Sequence, residues 1–151
     1  MDPLTLTVTV LGLVKKSIDS IQKLNDLHSK WENLPLDILS LEGQFDAVSF
    51  ALHQIGDALQ RSPQIAKALT AEQDISSKTF AKVLASCEVR FHVLSAKLDD
   101  LVSQAFAEST NEMGFKGRVR LIWKDNGIQL ASRNISRIVE SLNLVLHALN
   151  L

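Results

Sequence analysis

Few residues in the chain have reactive chemistry to offer. Cys87, Glu88 and His92 fall close together, and a thiol near an imidazole is a familiar way to build a cysteine nucleophile. Within one helix, however, residues five apart point in different directions, so Cys87 and His92 form no dyad there. Glu88 and His92 are an (i, i+4) pair, the ordinary spacing of a solvated contact on a helix face. Cys87 itself falls on an apolar repeat and reads as a buried structural thiol. His28, His53 and His147 sit in three other segments, with no HExxH motif or paired ligand spacing among them. There is no glycine-rich phosphate loop and no GxSxG elbow. Nothing assembles a nucleophile, a base and an oxyanion site. The chain therefore reads as non-enzymatic, with no catalytic, cofactor-binding or metal-ligating residues and no cofactor.

Two physical features remain. The segment Leu4 to Val14 is apolar, with Leu4, Leu6, Val8, Leu11 and Val14 as membrane-insertion candidates, and Lys15 and Lys16 follow at once. Such a segment can dip into a bilayer while the lysines meet anionic headgroups, or can simply pack in a bundle. The second feature is basic. Between residues 116 and 137 stand Lys116, Arg118, Arg120, Lys124, Arg133 and Arg137 against one acid, Asp125, with Phe115 and Trp123 interleaved. With Lys15 and Lys16, the residues Lys116, Arg118, Arg120 and Lys124 are the anionic-surface candidates. The patch suits anionic lipid or an acidic partner, or is the solvent face of two helices paired with Asp99, Asp100 or Glu108. Nucleic acid is not expected: 16 Lys/Arg oppose 17 Asp/Glu, and no nucleic-acid-binding motif is present.

The elements that must position these residues are helical. Leu34, Ile38, Leu41, Phe45, Val48, Leu52, Ile55 and Leu59 recur at steps of four and three. So do Phe80, Leu84, Cys87, Phe91, Leu94, Leu98, Leu101 and Ala105, and again Ile128, Ala131, Ile135, Ile138, Leu142, Val145 and Leu149. Extra apolar residues beside the seams (Leu36, Leu39, Val83, Val102, Leu144, Leu146) widen each stripe, favouring a globular bundle. The first segment alternates Leu4, Leu6, Val8 and Val10 with threonines, a strand-like pattern. Yet Leu11, Val14, Ile18, Ile21, Leu24, Leu27 and Trp31 continue at helical spacing, and a lone strand would have no partner. One helix is expected from about Pro3 to Ser29, capped by Asp2. Its β-branched start is weak helix former, so removing residues 1–13 is expected to leave the rest helical.

Breaks fall at Asn33-Leu34-Pro35, Arg61-Ser62-Pro63 and Ser109 to Gly117. A helical turn is expected from Pro63 to Leu69, and a short helix over Phe115, Val119 and Ile122. The third long helix should run from about Asp74 to Glu108 and the last from Asp125. The expected fold is all-α: one domain, an up-and-down bundle of four long helices plus one short helix. A single cysteine excludes an intramolecular disulfide framework. No basic n-region precedes the first apolar segment, so a cytoplasmic protein is expected, and recruitment to the plasma membrane would come through that segment and its lysines.

The opening Met1-Asp2-Pro3-Leu4-Thr5 with Leu11-Gly12-Leu13-Val14 resembles the start of a fungal N-terminal helical domain. That domain precedes ankyrin repeats or nucleotide-binding modules in STAND (NLR-type) receptors. Gly117-Arg118-Val119-Arg120-Leu121-Ile122-Trp123-Lys124 and the closing Ser141-Leu142-Asn143-Leu144-Val145-Leu146 resemble the same family's last two elements. In general character the family is HeLo-like. The resemblance implies an effector or signalling domain, excised here from a longer receptor. It would act in cell death or incompatibility by self-association and membrane attack through the N-terminal helix. Its partners would be further copies of itself, an anionic membrane and the downstream receptor domains. One departure is visible: only Gly12 stands where membrane-active relatives carry repeated small residues, which leaves adaptor-like signalling as the alternative.

Overall fold

The computed structural model describes residues 2–30, 36–71, 75–107 and 126–150. They form five helices, α1 (Pro3–Lys30), α2 (Leu36–Arg61), α3 (Pro63–Thr70), α4 (Ile75–Ala107) and α5 (Asn126–Ala148), and no strand occurs among the described residues. The fold is all-α, four long helices in a bundle with α3 across one end. The expected helical turn after Pro63 is α3. The short helix expected over Phe115, Val119 and Ile122 lies outside the described residues.

The caps follow from local chemistry. The Thr5 amide donates to Asp2 Oδ1 at 2.7 Å and its hydroxyl donates to Oδ2 at 2.9 Å. These bonds hold the Asp2 carboxyl below the usual aspartate range, the amide bond foremost. Thr7 and Thr9 donate their hydroxyls to the carbonyls of Pro3 and Thr5, so the threonine-rich start satisfies itself within a helix. Ser62, in extended conformation, caps α3 by accepting from the Ile65 amide, and Pro63 takes the first helical position. At the far end Asn150 adopts φ 59°, a left-handed stop to α5.

Side-chain contacts orient the helices. Gly56 of α2 lies against Val10 and Leu11 of α1, so these two helices run antiparallel. Lys23, late in α1, reaches Ser95 and Asp99, late in α4, at 2.9 and 2.7 Å, so α1 and α4 are parallel. Gln44, early in α2, donates to Ser136 and accepts from Ser132, early in α5, so those two are parallel as well. The chain thus alternates up and down. Around the bundle α1 borders α2 and α4, and α5 borders the same two. The step from α2 to α4 therefore crosses the diagonal, and α3 makes that crossing while packing on α1, α2 and α4. Across the centre Phe45 and Phe91 meet at 5.6 Å between ring centroids, tilted by 54°.

The expected seams of α2 and α4 are the core. Leu41, Phe45, Val48, Leu52, Ile55 and Leu59 are buried, as are Phe80, Leu84, Cys87, Phe91, Leu94 and Leu98. In α5, Ile135, Ile138 and Leu142 are buried and Val145 is half-buried, as is Leu149 just past its end. Leu34, and the side chains of Ile38, Leu101, Ala105, Ile128 and Ala131, lie outside the described set. Two residues expected to widen the stripes, Leu39 and Leu144, face outward instead.

The first helix corrects the sequence reading. Its seam is Leu6, Val10, Leu13, Ser17, Ser20, Leu24 and Leu27, all buried. Leu11 and Ile18, expected on that seam, lie one position off it and are exposed. Two serines hold core positions because each hydroxyl bonds back to its own helix, Ser17 to the Val14 carbonyl at 2.7 Å and Ser20 to Lys16 at 3.0 Å. The first turns are also not separable. Removing residues 1–13 would strip Leu6, Val10 and Leu13 from the core, at roughly 1.5–3 kcal/mol for each side chain.

Gly12 offers a way to strengthen α1. A Cβ at that position would meet nothing within 4 Å, and the residue is exposed inside a helix. Gly12→Ala is expected to raise stability by about 0.5–1 kcal/mol, the cost of glycine in a helix interior. Urea denaturation would check this. A loss of stability would mean that α1 does not run unbroken through residue 12.

Candidate functional site

The outer face of α1 carries the strongest candidate. A second stripe, offset from the seam, runs Leu4, Val8, Leu11, Lys15 and Ile18. Its apolar members are 76, 63, 39 and 43% exposed respectively, and Lys15 and Lys16 beside them are exposed. The membrane-insertion candidates therefore divide. Leu4 and Val8 face outward, Leu11 is partly exposed at the edge of the α2 contact with its side chain against Gly56, and Leu6 and Val14 are buried in the bundle. Among the described long helices α1 borders α2 and α4, and neither covers this stripe fully.

Lys116, Arg118, Arg120 and Lys124 lie outside the described residues. Arg133 and Arg137 project from α5 and are exposed. Asp99, a carboxylate considered as their partner, is instead paired with Lys23 of α1.

A second surface was not expected from sequence. The seam between α4 and α5 holds three hollows in a row. One of about 550 Å³ is lined by Val89, Val93 and Leu130 with Ser86, Arg90 and Asn134. The next, about 220 Å³, shares Ser86, Arg90 and Asn134 and adds Lys82 and Arg137. The last, about 360 Å³, shares Thr79 and Ser141 with the second and is lined by Leu69, Leu144, Val145 and Leu149. Shared walls make them one furrow, apolar at both ends and cationic in the middle. The sequence signal was the position of Val89 and Val93 off the α4 seam, and of Leu130 and Leu144 off that of α5.

The reactive inventory does not converge. His28, His53, His92 and His147 are each exposed on a different helix, and no group of metal-ligating side chains occurs among the described residues. Cys87 is fully buried, and desolvation pushes its thiol up to about 12. At pH 8 it should react with a thiol reagent at least about a hundredfold more slowly than after unfolding, since only opening exposes it. Labelling of the native protein at the free-thiol rate would show that the α4 register is wrong.

Among the described residues no helix is long and apolar enough to cross a membrane. Comparison of the chain with family models, with curated proteins and with solved structures finds no match.

Proposed function

We propose that the chain is a non-enzymatic effector or signalling domain, the N-terminal domain of a fungal STAND-type receptor, acting by self-association and membrane targeting through α1. The observation that carries this reading is the uncovered stripe Leu4, Val8, Leu11 and Ile18 with Lys15 and Lys16 beside it. The resemblance of the first and last elements to that receptor family supports the context.

Magnitudes decide how α1 would act. Releasing it would expose Leu6, Val10, Leu13, Leu24 and Leu27, costing roughly 8–15 kcal/mol at 1.5–3 kcal/mol each. That equals the whole stability of a typical domain, about 5–15 kcal/mol. First contact is therefore made with α1 in place, by its outer face. Burying the exposed part of that stripe yields roughly 3–6 kcal/mol, and each lysine near an anionic surface adds about 1 kcal/mol. The sum is close to that of a single myristoyl chain, which binds reversibly and marginally. One copy would bind weakly and several linked copies strongly, which joins membrane targeting to self-association.

Co-sedimentation with vesicles tests the reading. The chain should bind vesicles rich in phosphatidylserine, bind phosphatidylcholine vesicles far less, and lose binding as salt rises. Equal failure on both would leave the second reading, a protein-interaction module with no membrane step, which the furrow between α4 and α5 favours.

A further inference from the structure

We propose that the furrow between α4 and α5 receives the outer face of α2 from a second copy of this chain, so that copies add head to tail. The furrow states what its occupant must carry. Its middle is lined by Lys82, Arg90 and Arg137, and among the described residues no carboxylate lines any of the three hollows. Among the described residues no ion pair engages these cations. The occupant must therefore place an acid between two apolar side chains along one face.

The outer stripe of α2 does this. Leu39, Gly43, Asp46 and Phe50 recur at steps of four and three. Leu39 and Phe50 are exposed, Phe50 by 65%, and Asp46 between them is exposed. Gly43 has open space around it, so a second backbone can approach closely there. Asp46 lies two helical turns from Leu39, the same step that separates Arg137 from Leu130. With Leu39 against Leu130, Asp46 falls opposite Arg137, and Phe50 lies a further turn toward Leu144. The furrow runs roughly 27 Å from Leu130 to Ala148 at 1.5 Å per residue, and about 16 Å separate Leu39 from Phe50, so the α2 stripe fits inside it. Among the described residues the outer stripe of α1 is a second exposed apolar row, but it sets Lys15 where the furrow requires an acid. Like charges exclude it.

The two surfaces are different, so the contact is heterologous: every pair leaves one furrow and one α2 face free for the next copy. One helix in one furrow buries less than the roughly 1,000 Å² of a stable interface, so the contact is weak until copies are held together. This rests on the self-association part of the reading above and gives it a geometry.

Sedimentation velocity of the 151-residue chain without vesicles tests it. Two variants each block one surface: Asp46→Arg with Phe50→Ser, and Arg90→Glu with Arg137→Glu. Wild-type mass should rise past the dimer with concentration and fall with salt. Each variant alone should remain monomeric and helical, and an equimolar mixture should form a one-to-one dimer and nothing larger. Asp46→Arg combined with Arg90→Glu and Arg137→Glu in one chain should restore assembly, which shows that the loss is of charge pairing and not of folding. A wild type monomeric to about 1 mM at low salt would overturn the proposal. So would assembly by either variant alone, or a mixture that stays monomeric. Because no vesicle is present, such a failure leaves vesicle binding by α1 to be judged separately, and failure of vesicle binding leaves this interface standing.

Discussion

Phe91→Ala is expected to cost about 3–5 kcal/mol, the range for deleting a fully buried aromatic side chain. The residue lies mid-way along α4 with no exposed surface, and its ring meets Phe45 of α2 across the diagonal. Those two helices meet there through buried side chains at the centre of the bundle, so truncation leaves a cavity. The loss would consume a large share of a domain's ~5–15 kcal/mol. Leu144→Ala, on an exposed side chain of α5, should stay within about 0.5 kcal/mol of wild type. Urea denaturation with unchanged slope would separate the two. A loss below about 1 kcal/mol for Phe91 would contradict the described core.

That core was legible because α2 and α4 repeat apolar residues at fours and threes with no polar interruption. In α1 the same rule misled. Ser17 and Ser20 occupy seam positions, and Leu11 and Ile18, one residue away, complete an apolar row that belongs to the outer face. A wheel cannot tell two offset stripes apart when small hydroxyls, bonded to their own helix, hold the buried one. Neighbours were not legible either. Period reports which face of a helix is buried but not against which helix, so the diagonal step through α3 had no sequence signal. The furrow was hidden for a related reason: Arg137 and Leu130 belong to α5, Arg90 and Val93 to α4, and only the antiparallel packing of these helices brings them together.

Leu4→Glu combined with Val8→Glu is expected to leave the bundle folded and to lower binding to phosphatidylserine vesicles by more than about a hundredfold. Both side chains are mostly exposed, so the folded state loses little. Bound to a bilayer, each would forfeit roughly 1–2 kcal/mol of apolar burial and add about 1 kcal/mol of repulsion from anionic lipid. At 1.4 kcal/mol per tenfold, the pair exceeds two decades. Leu6→Glu would be a poor test, because Leu6 is buried and a charge there attacks the core itself. Circular dichroism and vesicle co-sedimentation on the same preparations would check the pair of outcomes. Unchanged vesicle binding after both substitutions would remove α1's outer face from the function.

The most direct measurement places an environment-sensitive fluorophore on that face. Cys87 is buried with its thiol held protonated, so a reagent can be directed to Val8→Cys in the native protein, or to Asn143→Cys on α5 as a reference. Titrated with phosphatidylserine vesicles, the probe at position 8 should shift to the blue and be quenched by lipids brominated near the headgroup. The probe at position 143, on a helix that α1 does not border, should do neither. A probe at position 8 whose emission is unaffected by those vesicles, under conditions where the protein is folded, would contradict the account.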